Sequence, residues 1–371
     1  MSQPDPYARR VALLRGALAE RGLDGAVVAW APHVRYLSGI VAECAPAFLL
    51  IDQERVTAVA PASAGIAEAP GIEVVPYIDS SINEIIPPRR TALAEVSRLV
   101  EEHGIQPDRL GVERGQLVLS DMDAFPDLRQ APDIGHAIAR LRMRKDPDEI
   151  ACIRANLRVL EAGFDAARET IRPGVTEIAV WSALHGAMMA KAGAPFPLEG
   201  NFASGPRTLA DEPQATSRRL EAGDAVFIDL YPIIDGYCAD LTRTFVVGEP
   251  AAAQRARHAV LEKALAAGVA ALGPGVRACG VDRAVRSSVA AAIGGYAFPH
   301  HAGHALGLQG QERPMLIPGD DTVIEPGMVI AIEPGAYLPD TGGMRVEGNY
   351  LVTETGCISI SDYPIEIFAC G

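Results

Sequence analysis

The chain has 371 residues, of which 49% are hydrophobic and 22% are charged, so it can bury a core and is neither disordered nor fibrous. At about 100–200 residues per domain, this length favours two domains or one large one over a single small module. The formal net charge of −14 would repel nucleic-acid phosphates and anionic membrane surfaces, so we expect neither nucleic acid nor a membrane as a partner.

The N-terminal part of the chain alternates helical and strand patterns, which is typical of an α/β domain. Apolar residues from Tyr7 to Leu18 recur at spacings of three and four and predict a helix that ends before Gly22. Short apolar runs predict strands at GAVVAW, AFLLI, VTAVA and IEVVPY. A further helical pattern begins near Leu93 and ends at Gly104.

The pattern changes near residue 145, where the sequence has the features of a helix start. Asp146 is in the N-cap position, Pro147 is in the first helical position and Glu149 completes a capping box. We predict a domain boundary here, with a first domain over residues 1–143 and a second domain over residues 144–371.

The second domain is predicted to combine helices with two β-hairpins. One helix runs through Ile150 and Leu160, and another begins at Thr176. The elements predicted after these are a hairpin near 225–247, two alanine-rich helices between about 252 and 294, a glycine- and histidine-rich segment at 299–310 and a hairpin near 328–354.

No stretch approaches the roughly 18–20 consecutive apolar residues of a membrane helix. The start MSQPDPYARRVAL is too polar for a signal peptide. Six scattered cysteines without a CxxC pair are typical of reduced, structural thiols. They are Cys44, Cys152, Cys238, Cys279, Cys357 and Cys370. We therefore predict a cytoplasmic protein.

The first hairpin carries two aspartates on flanking strands. Asp229 and Asp240 lie on either side of Asp235-Gly236, a dipeptide that favours a two-residue hairpin turn. That turn would place Asp240 opposite Tyr231 and make the two aspartates diagonal neighbours, with Cα atoms roughly 7–8 Å apart. The pair would then converge on one or two cations. The alternative is that Asp229 ends a strand and Asp240 lies on its solvent-exposed face.

The second hairpin repeats this arrangement with glutamates. Glu333 directly follows the apolar run VIAI, and Glu347 lies on the other side of a turn at 339–343. A carboxylate at the buried end of a strand must be paired, metal-bound or protonated. Arg345 lies two residues before Glu347, so a structural Arg–Glu pair is the alternative interpretation.

The histidines cluster once, in the segment PHHAGHALGLQGQE. His300, His301 and His304 fall within five residues and are flanked by glycines that permit close backbone approach. The other five histidines are isolated, and we interpret them as structural.

Four carboxylates and one imidazole are therefore candidate ligands of one site. A charge of about −4 in a shared pocket is prohibitive without cations, whereas two divalent ions neutralise it. This favours a two-metal centre, with the ions about 3.5–4 Å apart and a bridging water or hydroxide as the nucleophile. Oxygen-rich ligation with a single imidazole favours manganese, with cobalt, iron or zinc as alternatives. The candidate ligands are Asp229, Asp240, His304, Glu333 and Glu347.

The order, spacing and flanking residues of this series resemble the pita-bread metallopeptidase superfamily of creatinase, methionine aminopeptidase, prolidase and aminopeptidase P. The motifs that carry the resemblance are GHALGL, IEPG and GMRVEG. In addition, LDGAVVAWAPHVRYLSG resembles the N-terminal domain of the creatinase, prolidase and aminopeptidase P branch, and LRMRKDPDEIACIRAN resembles its domain junction. The resemblance implies an α/β (α+β) chain, with a mixed-sheet creatinase-type N-terminal domain before a pita-bread catalytic domain. It also implies a homodimer.

The resemblance implies a role for each metal ligand. Asp229 would bind one ion through both oxygens, Asp240 and Glu347 would bridge the two ions, and His304 with Glu333 would complete the second site. Glu333 would also accept a proton from the attacking water.

The resemblance also implies residues that act on the substrate. His300 matches a histidine that helps to hold the substrate and stabilise the tetrahedral intermediate, and Arg345 matches an arginine near the bridging glutamate. We expect His301 and Tyr237 to lie in the shell around the substrate as well.

Two positions depart from the family pattern. Glu212, with Asp211 beside it, and Gln311 occupy places where Xaa-Pro peptidases carry histidines close to the scissile bond. The first hypothesis is a metal-dependent hydrolase of C–N bonds that acts by default on Xaa-Pro dipeptides or short proline-containing peptides. The second is a small-molecule enzyme on the same scaffold, either an amidinohydrolase or amidohydrolase or a lyase, with Glu212 contacting a substrate cation. A non-catalytic binding protein is the third.

Overall fold

The computed structural model separates into two units, Met1–Arg142 and Met143–Gly371. Within the described residues, no helix combines the length and apolar character that are needed to cross a bilayer. Cys279, Cys357 and Cys370 carry free thiols, whereas Cys44 lies outside the described residues. The structure describes residues 5–42, 45–66, 69–293 and 298–371.

The first unit is built on a mixed five-stranded sheet in the order β4-β3-β2-β1-β5. The pairs β1–β2 and β2–β3 are antiparallel, whereas β3–β4 and β1–β5 are parallel. The strands are β1 (Gly25–Val28), β2 (Phe48–Asp52), β3 (Val56–Pro61), β4 (Glu73–Tyr77) and β5 (Leu110–Val112).

Helices accompany this sheet, and the apolar stripe of α3 packs into the same core as β1 and β2. The helices are α1 (Pro6–Ala19), α2 (Ala31–Ser38), α3 (Pro88–Glu102), α4 (Asp121–Ala124) and α5 (Gly135–Met143). The predicted helices are α1 and α3, and the four predicted strands are β1 to β4. The sequence interpretation missed α2 and β5 because segments of eight and three residues are too short for a clear periodic signal.

The second unit begins with α6 (Pro147–Thr170) and α7 (Glu177–Ala192). The predicted capping box is present, with the Asp146 backbone N–H donating to Glu149 Oε2 at 2.9 Å. Two further helices, α8 (Ala252–Ala271) and α9 (Ala278–Ile293), form the predicted alanine-rich pair.

Two larger sheets and a two-stranded ribbon make up the β structure of this unit. One sheet has the order β17-β9-β7-β6, with β8 paired to β7, and the other has the order β11-β10-β12-β15-β16. The ribbon is β13-β14. The strands are β6 (Leu198–Ser204), β7 (Ala225–Ile234), β8 (Tyr237–Cys238), β9 (Leu241–Val247), β10 (Gly303–Ala305), β11 (Glu312–Leu316), β12 (Val329–Ile332), β13 (Gly335–Leu338), β14 (Gly342–Arg345), β15 (Gly348–Val352), β16 (Cys357–Ser359) and β17 (Phe368–Cys370).

The core of the second unit lies between the helix pair and the sheet that contains β12. Val281 and Val285 of α9 and Leu265 of α8 are buried in one cluster with Ile330 and Ile332 of β12. This packing leaves the opposite side of the strands available for polar side chains, because successive strand residues point to opposite faces. The predicted fold class, a mixed-sheet N-terminal domain followed by a pita-bread domain, is confirmed.

Candidate metal centre

The first hairpin has the register that its turn dipeptide predicts. Asp235 and Gly236 have φ angles of 51° and 72°, as a primed two-residue turn requires. Pairing of Ile234 with Tyr237 and of Asp229 with Thr242 keeps one register along the hairpin. The strand hydrogen bonding is interrupted at Asp240, just before β9 begins. Asp240 is buried, with 6% of its surface exposed.

The second hairpin places its two glutamates opposite each other. Ile332 pairs with Gly348, and Gly335 pairs with Arg345, so Glu333 and Glu347 face each other between the two paired stretches. Glu333 is 4% exposed and Glu347 is 1% exposed. Both glutamates lie where strand pairing is interrupted, which leaves their side chains free to turn towards the first hairpin.

His304 completes the cluster from β10, the neighbour of β12. Its Nδ1 lies 3.0 Å from the carbonyl oxygen of Ala305, which can only accept a hydrogen bond, so Nδ1 carries the proton. In the neutral ring the lone pair of Nε2 is therefore available to a cation, whereas without a cation a protonated Nε2 can donate to Glu333 Oε1 at 3.1 Å; Asp240 Oδ2 lies 3.5 Å away. Fixing the tautomer through the second nitrogen is common for metal-binding histidines.

The cluster has the donor set and the unpaired oxygens that a pair of divalent ions would satisfy. Ligand atoms of Asp229, Asp240 and Glu347 lie within 4.8 Å of one another. Among the described residues, Asp240 Oδ1 and Glu347 Oε1 are buried without a hydrogen-bond donor. Buried carboxylate oxygens are costly unless they are paired, so these residues fit a cation site.

A second set of ligand atoms, from His300, His301 and Glu333, also lies within 4.8 Å. Both ring nitrogens of His300 have partners, since Nδ1 is 2.8 Å from the His301 carbonyl oxygen and Nε2 is 2.9 Å from the Tyr337 hydroxyl. His301 Nδ1 is 3.2 Å from Glu333 Oε1. His304 is therefore better placed than His300 to share an ion with Glu333.

The close approach of these buried carboxylates shifts their pKa values. Burial, together with the charge of Glu347, raises the pKa of Asp240 well above its usual range. Burial and the charge of Glu333 do the same to the pKa of Glu347. Burial would also raise the pKa of Glu333, but hydrogen bonds from His301 and His304 lower it well below the usual range. These shifts describe a site whose negative charge exceeds its positive charge.

The metal-free protein is expected to lose stability as the pH rises above the ordinary carboxyl range. Protons on Asp240 and Glu347 stabilise the fold at low pH, and this contribution is lost as the pH rises from about 4 through the raised pKa values. The raised pKa of His304 acts in the same direction. The lowered pKa of Glu333 acts oppositely, but its contribution is complete above about pH 5.

Melting curves of EDTA-treated protein between about pH 5 and about pH 8 test this expectation. The melting temperature should fall with pH, and saturating Mn(II) should reduce the slope because the ions stabilise the ionised carboxylates. A melting temperature that rises with pH in the metal-free protein would contradict this interpretation.

Arg345 supplies the positive charge of the cluster. It does not form the structural pair with Glu347 that was the alternative interpretation of the sequence. Its Nη1 lies 2.5 Å from Asp229 Oδ2 and 3.3 Å from Glu333 Oε2, so its ion pairs are with these two residues and not with Glu347. Its Nε donates to the Tyr337 hydroxyl at 2.9 Å.

A hydrogen-bonded chain continues from Tyr337 to His300. Burial and the charge of Arg345 lower the pKa of His300 to about 3, so its ring is neutral. Since Nδ1 donates to a carbonyl, Nε2 accepts from the Tyr337 hydroxyl. Arg345, Tyr337 and His300 therefore form one ordered chain beside Asp229.

Four of the five candidate ligands, Asp229, Asp240, His304 and Glu333, line a cavity of about 740 Å³. Glu212 and Gln311, which replace the expected histidines, both line this cavity, as do His300 and His301. Tyr237 does not line it. In an extended chain, residues 238 and 240 share a face, so Tyr237 faces away from Asp240, and its carbonyl accepts a hydrogen bond from Asn156 Nδ2 at 2.8 Å. The expected place of Tyr237 in the shell around the substrate stays a prediction.

The sequence interpretation also missed three residues of the cavity wall, Tyr337, Tyr231 and Glu199. A signal for Tyr337 was present, because it is the diagonal neighbour of Arg345 in the second hairpin. Glu199 had no such signal, since it reaches the site only because β6 pairs with β7.

Family models match both parts of the chain. The model of metallopeptidase family M24 matches residues 151–354, and the model of the creatinase/prolidase N-terminal domain matches residues 10–144. The probable dipeptidase PepE of Mycobacterium tuberculosis is 32% identical over 97% of this chain and 96% of its own length. The Xaa-Pro dipeptidase of Pyrococcus furiosus is 34% identical over 67% of this chain and 72% of its own length. The solved structure of an Xaa-Pro dipeptidase from Bacillus anthracis aligns with a TM-score of 0.87 and 29% identity, covering 98% of this chain and 99% of that chain.

Proposed function

The chain belongs to metallopeptidase family M24, and we propose that it is a dinuclear metal-dependent hydrolase of C–N bonds whose default substrate is an Xaa-Pro dipeptide or a short proline-containing peptide. The observation that carries this proposal is the buried cluster of four carboxylates and one imidazole, four of which line a cavity. Relatives named Xaa-Pro dipeptidase support the substrate class.

The metal ligands are proposed to be the five clustered residues. Two divalent ions held there would activate a water and polarise the carbonyl of the scissile bond near neutral pH. Manganese as the native metal, a homodimeric assembly and a cytoplasmic location stay predictions from the sequence. The five residues are Asp229, Asp240, His304, Glu333 and Glu347.

The chain's own residues supply proton transfer and substrate orientation. Glu333 would accept a proton from the attacking water, because its carboxylate lines the cavity beside His304. The ordered chain of Arg345, Tyr337 and His300 holds a hydroxyl and an imidazole at the cavity wall, where the substrate carbonyl would lie.

Removing the Tyr337 hydroxyl is expected to slow the reaction without loss of metal. In Tyr337→Phe, Arg345 Nε and His300 Nε2 lose their shared partner, so kcat should fall roughly tenfold to a hundredfold while KM changes little. Steady-state kinetics with Ala-Pro and metal analysis by mass spectrometry measure both quantities. Tyr363→Phe is the matched control, because it removes one hydroxyl bond to Asp165 away from the cavity. An unchanged kcat in Tyr337→Phe would rule out a role for this chain.

A second candidate function is supported by the two replaced histidines. Glu212 and Gln311 line the cavity, so the wall that contacts the substrate differs from the expected pattern of a proline peptidase. A small-molecule amidinohydrolase, amidohydrolase or lyase on the same scaffold would retain the metal cluster and change this wall.

Hydrolysis of a small panel by protein loaded with Mn(II) or Co(II) tests the two functions. The panel contains Ala-Pro, Gly-Pro, an Xaa-Pro tripeptide, creatine and an N-acetylated diamino acid. Release of proline by the parent and not by Asp240→Asn would support the peptidase. No proline release, with about two ions bound per chain, would contradict the peptidase and leave the small-molecule enzyme.

A further inference from the structure

Part of the cavity wall is one continuous stretch of chain. Residues 209–214 all line the cavity. They belong to a segment of residues 205–215, here called the wall segment, that begins directly after β6. Residues 210–215 lie in neither a helix nor a strand, so no regular hydrogen-bond ladder fixes their shape. Other contacts must therefore hold this part of the wall.

One carboxylate, that of Glu177, holds both ends of the wall segment. Glu177 is the first residue of α7, and its side chain is fully buried. Its Oε1 accepts the Ser204 backbone N–H at 3.0 Å and the Ser204 hydroxyl at 2.6 Å. Its Oε2 accepts the Thr216 backbone N–H at 2.9 Å and the Thr216 hydroxyl at 2.6 Å. Because Ser204 precedes the wall segment and Thr216 follows it, the carboxylate closes the segment into a loop.

Arg207 attaches the interior of the wall segment to the same carboxylate. Its Nη1 forms an ion pair with Glu177 Oε2, and its Nη2 donates to the Gln214 carbonyl at 2.8 Å. Burial alone would raise the pKa of Glu177, but hydrogen bonds from Ser204, Thr216 and Arg207 lower it. The carboxylate is therefore ionised, and its hydrogen bonds are of the stronger, charge-assisted kind.

The wall segment is also joined to two strands of the second unit. The Phe202 backbone N–H of β6 donates to the Pro213 carbonyl at 2.8 Å. The Gly343 backbone N–H of β14 donates to the Thr208 hydroxyl oxygen at 2.7 Å. Glu177 does not line the cavity, but the shape of this wall depends on where its carboxylate holds the segment.

We propose that Glu177 is a positioning residue for the substrate, because it holds the wall segment in the shape that binds the peptide. It acts through Ser204, Arg207 and Thr216 and does not contact the substrate. The proposal rests on the proposed hydrolase function of the same cavity. If the segment is released, only the fraction of molecules with an ordered wall binds substrate, and the apparent affinity falls by that fraction. The chemical step in the complex is unchanged, since the wall is ordered there.

The first test separates KM from kcat. The amide of Glu177→Gln has a single acceptor oxygen, so it cannot accept hydrogen bonds at both ends of the segment. The KM for Ala-Pro should rise roughly tenfold, while kcat changes by less than about threefold. Metal content should stay at that of the parent. Arg207→Met leaves both ends attached and should raise KM by only about threefold.

Glu149→Gln is the matched control for this test. Glu149 is also a buried glutamate in the first turn of a helix, α6, and it does not line the cavity. Its substitution should lower the melting temperature and leave KM unchanged. If Glu177 has only a structural role, Glu177→Gln should behave in the same way, and that result would overturn the proposal.

The second test does not depend on turnover. Hydrogen exchange measured by mass spectrometry should show the amides of residues 204–216 exchanging roughly tenfold faster in Glu177→Gln than in the parent or in Glu149→Gln. Exchange equal to that of the parent would also overturn the proposal. If Glu177→Gln does not fold, the same measurements on Arg207→Met decide the outcome. A parent that hydrolyses no peptide would contradict the hydrolase function alone. Calorimetric titration of Ala-Pro would then decide the proposal, and equal Kd values for the parent and Arg207→Met would overturn it.

Discussion

The metal-free Asp240→Asn variant is expected to be more stable than the metal-free parent, although it loses metal binding and activity. Asp240 is 6% exposed, and its Oδ1 has no donor among the described residues. Replacing this carboxylate with an amide removes a buried negative charge beside Glu347 and supplies an N–H donor. The unfolding free energy of the metal-free protein should therefore rise by roughly 1–3 kcal/mol.

The same substitution removes a proposed ligand of both ions. Metal content should fall below about two ions per chain, and kcat/KM should fall by roughly a thousandfold or more, or about 4 kcal/mol of transition-state stabilisation. Since the fold is intact, the loss of activity cannot be attributed to unfolding. A gain in the stability of the metal-free protein, together with a loss of metal binding and activity, distinguishes a metal site from a structural carboxylate cluster.

Three measurements on each variant check this result. They are the melting temperature after EDTA treatment, metal content after reconstitution with Mn(II), and the rate of proline release from Ala-Pro. Asp235→Asn is the matched control, because Asp235 lies in the turn of the same hairpin at a φ of 51°, which asparagine tolerates. A metal-free Asp240→Asn protein that is less stable than the parent would show that Asp240 is held by pairing that the cluster geometry does not contain.

The hairpins were predictable because local chemistry determines their register. Asp235-Gly236 specifies a two-residue turn, and a period of two then determines which residues lie opposite each other. The burial of Glu333 followed from the apolar strand that precedes it. The proximity of the two hairpins was not a local property, and the resemblance to a known family supplied it.

Glu199 could not be predicted because its position depends on pairing between distant segments. It reaches the cavity through the pairing of β6 with β7. No spacing along the chain reports such contacts. The alternation of an extended chain, which was available from the sequence, places Tyr237 on the opposite face from Asp240.

Arg345→Met is expected to have the opposite effect on stability from Asp240→Asn. Arg345 Nη1 contacts Asp229 and Glu333, so its removal leaves two buried carboxylates without their positive partner. Breaking a buried ion pair from one side costs about 3–5 kcal/mol. The metal-free variant should therefore melt well below the metal-free parent.

Activity should also fall in Arg345→Met, for a reason that metal content does not report. The Tyr337 hydroxyl loses its donor, and the ordered chain to His300 is broken. Mn(II) should restore part of the stability, because added positive charge compensates Asp229 and Glu333, but it should not restore kcat. Arg345→Lys keeps the positive charge but lacks the planar guanidinium with donors on two sides. Compared with Arg345→Met, it should therefore regain more of the stability than of kcat.

The double variant that combines Arg345→Met with Asp240→Asn tests whether Arg345 and Asp240 belong to one charge cluster. In a shared cluster, removing one negative charge offsets part of the loss of the positive charge, so the two effects on the unfolding free energy should not add. Arg283→Met, an exposed arginine of α9, is the matched control and should be close to neutral. Strict additivity, or a metal-free Arg345→Met protein as stable as the parent, would show that Asp229 and Glu333 do not depend on Arg345 for compensation.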